Sequence, residues 1–131
     1  MGVPGATAII DTNILIDHLR GKQSSTDFLK ALIANETTLL CSVITRIEIL
    51  AGARPGEENS INSLLKIFDE VNVDTVIANL AGKYLNQYMK SHGLTPADAI
   101  IAASAKKCNA TVYSLNIRHF PMTDIDVVVP Y

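Results

Sequence analysis

Short apolar segments alternate with longer amphipathic segments along the whole chain. The first apolar segment, from Ala6 to Asp11, is continuous and β-branched, which is typical of a strand buried on both faces. An amphipathic helix from Ile14 to Arg20 follows it and is stopped by Gly21. Further strands are predicted at residues 37–41, 71–73, 110–114 and 126–129. Further helices are predicted at about residues 24–35, 43–53, 57–68, 75–92 and 95–107.

Capping and breaking residues set the limits of these helices. Ser24 or Ser25 stands where its side chain can accept the first free backbone N–H groups of the second helix, and Ser42 does the same for the third. Gly93 is expected to end the long helix before it, because glycine readily takes the left-handed conformation there. Thr95 is expected to cap the helix that follows.

Alternation of strands and helices within 131 residues predicts an α/β fold. We expect a central parallel sheet of about five strands with helices on both faces, an α/β/α sandwich. A chain of this length fits one hydrophobic core, so residues 1–131 are expected to form a single domain. Functional sites in such sheets lie outside the carboxyl ends of the strands.

Three acidic residues stand where an acid is least expected. Asp11 closes an apolar strand, Glu48 lies within the apolar sequence ITRIEIL, and Asp98 precedes the sequence AIIAA. A carboxylate next to so much apolar surface costs free energy unless it is paired, hydrogen-bonded or bound to a cation. Three such acids on different elements therefore indicate one shared site for a hard divalent metal.

Each acid also has an ordinary structural role open to it. Asp11 can cap the helix that follows it. Glu48 can pair with Arg46 or Arg54. Asp98 completes a T-x-x-D capping box. The functional interpretation depends on the three acids acting together.

A possible fourth member of the site is Asn116, which directly follows the strand at 110–114. It is either a turn residue or the neutral member of an otherwise acidic cluster. A set of oxygen donors without histidine or cysteine favours Mg²⁺ or Mn²⁺ over zinc. His18, His92 and His119 are expected at the surface or at helix ends.

Composition limits the remaining function classes. The net charge of −2 gives no global basic field that would attract nucleic acid. Two cysteines are too few for a disulfide framework or a zinc site, and we expect both to be buried thiols. No apolar segment is long enough to span a membrane, and residues 1–6 lack the basic start of a signal peptide. A cytoplasmic protein without a membrane role is expected.

Four motifs, in order, resemble those of the PIN-domain nucleases. Their order, spacing and the chain length are most similar to the VapC-type toxins of bacterial and archaeal toxin–antitoxin pairs. The resemblance covers nearly the whole chain. The motifs are DTN at 11–13, RIEILAG at 46–52, PADAIIA at 96–102 and SLNIRHF at 114–120.

The resemblance implies a Mg²⁺- or Mn²⁺-dependent endoribonuclease that leaves 5′-phosphate and 3′-hydroxyl ends. It implies that Asp11, Glu48 and Asp98 are catalytic acids and metal ligands. Asn116 matches the fourth catalytic position, where the family often has Asp. The family also supplies hydroxyl groups near the metal, at positions that match Thr12 and Ser114.

The implied partners are an RNA substrate, bound as a single strand or loop, and a cognate antitoxin that blocks the site with a basic side chain. Candidates for phosphate contact are Arg20, Lys22, Arg46, Arg54 and Arg118. We also expect a homodimer, because two helices carry more apolar surface than one sheet can cover. The residues that suggest it are Leu64, Leu65, Ile67, Phe68, Tyr84, Leu85 and Tyr88.

Two other functions fit parts of the pattern. The neutral Asn116 also fits a catalytically weak PIN-like module that only binds another protein. A phosphotransferase with an aspartyl nucleophile would require an acid two residues after Asp11, and Asn13 stands there instead.

Overall fold

The computed structural model describes residues 6–131, which form a five-stranded parallel sheet between two layers of helices. The sheet order is β3-β2-β1-β4-β5, and every neighbouring pair is parallel. The strands are β1 (Thr7–Ile10), β2 (Thr38–Ser42), β3 (Asp69–Val71), β4 (Thr111–Tyr113) and β5 (Val127–Val128). The helices are α1 (Thr12–Leu19), α2 (Gln23–Ala34), α3 (Val43–Ala51), α4 (Glu58–Leu65), α5 (Thr75–His92) and α6 (Pro96–Cys108). The predicted α/β/α fold is confirmed.

The two faces of the sheet form two separate cores because side chains alternate along each strand. Ala8 and Ile10 of β1 pack with the apolar residues of α1, α2 and α4. Ile9, between them, packs on the opposite face with α5 and α6. The alanines of α6, such as Ala102 and Ala103, are fully buried there. A strand covered on both faces explains the continuous apolar sequence of β1.

Local signals set several helix ends as predicted. The Ser42 hydroxyl accepts the N–H of Ile44 at 3.2 Å and begins α3. Gly93 has φ +64° and ends α5 in the left-handed conformation. The Thr95 hydroxyl accepts the N–H of Asp98 at 3.2 Å and begins α6.

Two local predictions were wrong. Neither Ser24 nor Ser25 caps α2, since both lie inside it, and the buried Ser25 hydroxyl instead donates to the carbonyl of Ile14 at 2.6 Å. Strand β3 lies at Asp69–Val71, two residues earlier than its apolar residues suggest. This edge strand pairs only with β2, so backbone register and not side-chain polarity decides its position.

The apolar residues that suggested a dimer are largely used inside the chain. Leu64, Leu65, Phe68 and Tyr84 are buried in the two cores, and Leu85 and Tyr88 pack against one of them. Most of these residues therefore give no reason to expect a dimer, and that part of the argument was wrong. The exposed apolar side chains near α3 and α4 are Ile47, Leu50 and Ile67.

Neither cysteine of the chain is in a disulfide. Cys41 is buried, but Cys108 is only half-buried, so the prediction of two buried thiols was correct for one. Burial raises the pKa of the Cys41 thiol to about 11, which keeps it protonated and unreactive. Across residues 6–131, no helix combines the length and the apolar character needed to cross a membrane. Residues 1–5, on which the expectation about a signal peptide partly depends, lie outside the described part.

Candidate active site

The carboxyl ends of β1 and β4 lie side by side at the centre of the sheet. Strands β2 and β3 lie on one side of β1, and strands β4 and β5, which follow α6, lie on the other side. This change of direction leaves a crevice, the usual ligand position in open α/β sheets. Asp11 follows β1 and Ser114 follows β4, so both stand at the crevice.

Asp11 is the buried acid of the site, with 6% of its surface exposed. Its Oδ1 accepts the backbone N–H of Thr12 at 2.8 Å, and its Oδ2 accepts the hydroxyl of Ser114 at 2.6 Å. Burial raises the pKa of the Asp11 carboxyl, and the two hydrogen bonds lower it in part. The negative charges of Asp98 and Glu48 raise that pKa further. Asp11 is therefore a capping residue and also lies within the field of both other acids.

Glu48 reaches the site from α3. Its Oε1 lies 2.6 Å from the hydroxyl of Thr12, which donates to it. Arg46 pairs with Glu70 at 2.7 Å instead. Within residues 6–131 Glu48 forms no ion pair with Arg46 or Arg54, so the simple structural role for Glu48 was wrong. Although it lies within an apolar sequence, Glu48 is exposed, and its carboxylate borders an open cleft.

Thr45 is a site residue that the sequence analysis missed. It is fully buried on α3, and its hydroxyl lies 3.0 Å from that of Thr12. Because the Glu48 carboxylate only accepts, the single hydroxyl proton of Thr12 points to Glu48, and Thr45 then donates to Thr12. The available signal was its position three residues before Glu48, on the same face of a helix.

Asp98 lies in the first turn of α6. Its Oδ2 accepts the Thr95 hydroxyl at 2.9 Å and lies 3.4 Å from Nδ1 of His119. The predicted capping box is half formed: the Thr95 hydroxyl accepts the N–H of Asp98, but the Asp98 carboxylate accepts that hydroxyl rather than the backbone N–H of Thr95. The same carboxylate also borders the cleft of Asp11. The two roles of Asp98 are therefore compatible. His119, which was expected to be only a surface residue, contacts the site through this carboxylate.

One cleft of about 240 Å³ brings all four predicted site residues together: Asp11, Glu48, Asp98 and Asn116. Asn13 also lines it, and its buried Oδ1 has no hydrogen-bond partner among residues 6–131. As they are placed, no three acidic, histidine or cysteine side chains in this part of the chain are close enough to hold a metal together. The acids thus share a cleft and influence one another without forming a closed coordination shell.

Comparisons with known proteins identify the family of this chain. Residues 8–124 match the PIN domain family. Ribonuclease VapC19 of Mycobacterium tuberculosis is 36% identical over 124 residues, covering 94% of this chain and 98% of the relative. Ribonuclease VapC10 of the same organism is 33% identical over 115 residues, covering 87% of this chain and 86% of the relative.

Solved structures give the same result for the fold. A toxin–antitoxin complex from Klebsiella pneumoniae contains a chain with 28% identity and a TM-score of 0.77, covering 95% of this chain and 98% of that one. FitAcB from Neisseria gonorrhoeae has 26% identity and a TM-score of 0.74, covering 94% and 97%. By sequence and by fold, this chain belongs to the PIN-domain family, among its VapC-type members.

Proposed function

We propose that this chain is a Mg²⁺- or Mn²⁺-dependent endoribonuclease and the toxin of a type II toxin–antitoxin pair. The observation that carries the proposal is the meeting of Asp11, Glu48 and Asp98 at one cleft, although each comes from a different element. Relatives with 36% and 33% identity are named ribonucleases, which supports RNA as the substrate. The whole chain, residues 1–131, is proposed to act as one PIN-like domain.

The residues of the cleft fit a hard divalent cation. Every candidate donor is an oxygen, which suits Mg²⁺ and Mn²⁺. In the described part of the chain, Oε2 of Glu48 and Oδ1 of Asp98 accept no hydrogen bond and remain free to bind a cation. Asp11 and Asp98 would hold the ion directly, and Glu48 directly or through water. As they are placed, the acids are not close enough to share one ion, so the Asp98 side chain must move closer to Asp11, and its position at an open cleft allows this.

The bound cation would supply a water of lowered pKa and neutralise charge that builds on the phosphoryl oxygens. Glu48, held in place by the Thr12 hydroxyl, would orient the attacking water. Ser114 fixes the Asp11 carboxylate. Asn116 contributes a neutral amide, so the site carries one negative charge fewer than with a fourth acid.

Cleavage of RNA by the purified chain is expected only when Mg²⁺ or Mn²⁺ is present, because the lining of the cleft, among residues 6–131, includes no basic side chain that could take the place of the cation. The products should carry 5′-phosphate and 3′-hydroxyl ends, which end-labelling can identify. Cleavage that persists in EDTA, from a preparation free of other nucleases, would overturn the proposal.

Thr45→Val is expected to lower kcat for RNA cleavage about fivefold, because it removes a hydrogen bond of about 1 kcal/mol that orients Thr12 towards Glu48. KM should change little, since Thr45 is fully buried and cannot touch RNA. Thr45→Ser keeps the hydroxyl and should retain most of the rate. Equal rates for the two variants would show that Thr45 only fills space.

The proposed cellular partner is a cognate antitoxin that covers the cleft and places a basic side chain among the acids. The solved relative from Klebsiella pneumoniae is a toxin–antitoxin complex, which supports a protein partner of this kind. The cytoplasm is the proposed location, since cellular RNA is found there. An antitoxin complex in which the three acids still bind Mg²⁺ freely would contradict the blocking role.

A homodimer is proposed on the basis of exposed apolar side chains on α3 and just after α4. Ile47, Leu50 and Ile67 are each about half exposed, at 58%, 51% and 49%. Association would remove this surface from water. Analytical sedimentation at tens of micromolar is expected to give the mass of two chains. A monomer at that concentration would contradict the proposed dimer.

The alternative is a PIN-like module that binds a protein partner without turnover. Two observations favour it: the neutral Asn116, and the absence of three side chains gathered for a metal among residues 6–131. A metal-binding assay on the isolated chain separates the two functions, because only the nuclease requires a bound metal.

A further inference from the structure

A second cleft adjoins the acidic one. It has a volume of about 340 Å³ and is lined by Ser91, His92, Arg118 and His119. His119 lies on the boundary, because its Nδ1 is 3.4 Å from Oδ2 of Asp98 in the acidic cleft. Two segments form the walls: the last turn of α5, and the 3₁₀ turn at Ile117–His119 that directly follows Asn116. The two clefts are therefore neighbours, joined through the contact between His119 and Asp98.

The side chains of this cleft are rich in hydrogen-bond donors and contain no acid. Arg118 is exposed and, within residues 6–131, forms no ion pair. Its guanidinium offers five N–H donors. Nδ1 of His119 faces the Asp98 carboxylate, so Nε2 of that ring is a donor only in the imidazolium form, whereas Nε2 of His92 donates when Nδ1 of His92 accepts the Ser91 hydroxyl. Such a lining is suited to an anion.

The other basic candidates from the sequence are mostly engaged elsewhere. Arg20 pairs with Glu57, Lys22 lies 3.7 Å from Asp17, and Arg46 pairs with Glu70 at 2.7 Å. Arg118, by contrast, lines the cleft that neighbours the acids.

We propose that this second cleft binds a backbone phosphate of the RNA strand, next to the phosphate that is cleaved. The inference rests on the proposed ribonuclease function and deepens it by giving the path of the RNA. A planar guanidinium matches two phosphate oxygens with two parallel hydrogen bonds. A chain with a net charge of −2 repels RNA at long range. A local phosphate site beside the acids offsets that repulsion where the strand must bind.

The expected ligand is a single strand, because its backbone can follow the bend between two adjoining clefts. An acidic segment of a protein also carries negative oxygens and is the competing occupant. If Arg118 contacts a phosphate, the affinity for RNA should depend on salt, and this dependence should decrease when Arg118 is replaced. A site for an acidic protein segment does not predict this change in RNA binding.

The test is fluorescence anisotropy of a labelled single-stranded RNA in EDTA, so that binding is measured without metal-dependent cleavage. Arg118→Gln is expected to weaken binding about 10-fold, in line with the loss of a charge-assisted hydrogen bond. The slope of log affinity against log salt should decrease by about 0.7, the value for one phosphate contact on a single strand. Arg118→Lys should keep that slope and lose part of the affinity.

Lys30→Gln is the matched control. It removes one positive charge from an exposed position on α2, on the opposite face of the sheet from α5 and α6. It should leave the slope unchanged, and circular dichroism should show all variants folded. Equal affinity and slope for Arg118→Gln and wild type would overturn the proposal and favour a protein occupant, as would wild type that binds no RNA.

The same samples, with Mg²⁺ added, separate this inference from the proposed function. Wild type that binds RNA through Arg118 but does not cleave it would contradict the nuclease and leave the phosphate site standing. Wild type that cleaves RNA while Arg118→Gln binds it unchanged would contradict only the phosphate site.

Discussion

Replacing Asp11 by asparagine is expected to lower the rate of RNA cleavage by at least about 100-fold, the usual cost of removing one group that stabilises a transition state. Asn keeps the size of the side chain and can still accept the N–H of Thr12, so the start of α1 should form. It removes the negative charge that would hold the cation. The loss should therefore appear in catalysis and not in folding.

Asp98→Asn is expected to have an effect of the same order, because both acids are proposed as direct ligands. Asp27→Asn makes the same chemical change on the exposed face of α2 and should leave the rate unaltered. Initial rates on one defined RNA at saturating Mg²⁺ provide the comparison. If Asp98→Asn or Asp11→Asn cleaved as fast as Asp27→Asn, the acids would not be the metal site.

Mg²⁺ is expected to stabilise the wild-type chain clearly. A cation that binds only the folded state raises the free energy of unfolding by about 2.7 kcal/mol when its concentration is 100 times its Kd. Asp11→Asn should gain little, because the cation has lost a ligand. Thermal or urea unfolding in EDTA and in millimolar Mg²⁺ measures both gains.

Without metal, Asp11→Asn is expected to be more stable than wild type. Burial and the charges of Asp98 and Glu48 raise the pKa of the Asp11 carboxyl above its ordinary value of 3.8. The folded chain therefore binds more protons than the unfolded chain above that pH. Its free energy of unfolding must fall as pH rises from 3.8 through the folded-state pKa. Asp11→Asn has no such loss and should melt at a higher temperature in EDTA at neutral pH.

A purely structural Asp11 gives a different set of results. As a helix cap alone, Asp11→Asn should be nearly neutral and Asp11→Ala should cost about 1 kcal/mol. Mg²⁺ should then have no effect on any of the three proteins. Wild-type unfolding that ignores millimolar Mg²⁺ and Mn²⁺ would favour the protein-binding module over the nuclease.

Features of the fold with a local cause could be predicted from the sequence. Gly93 ends α5 and Thr95 begins α6 through contacts within a few residues. The apolar sequence of β1 follows from burial on both faces. Strand β3 was misplaced because backbone pairing with β2, a contact distant in sequence, fixes its position. The prediction that a serine caps α2 was wrong for a similar reason, because Ser25 donates to a carbonyl in α1, a contact distant in sequence.

The residues that line the candidate site could be predicted from the sequence, but their exposure and their contacts with one another could not. Asp11, Glu48, Asp98 and Asn116 do line one cleft. The positions of Asp11 and Asn116 after strands suggested this for two of them, whereas Glu48 lies within α3. The exposure of Glu48 and the hydroxyl chain through Thr45 depend on how α3 packs against α1, which no local pattern specifies. The phosphate cleft depends in the same way on the approach of α5 to the 3₁₀ turn after Asn116.

The most direct test of the central claim, that the acids of this cleft bind a divalent cation, is a titration of Mn²⁺ followed by electron paramagnetic resonance of the free ion. Wild type is expected to remove Mn²⁺ from solution, Asp11→Asn and Asp98→Asn are expected to do so far more weakly, and Asp27→Asn should match wild type. Equal Mn²⁺ binding by all four proteins, or binding by none, would contradict this claim.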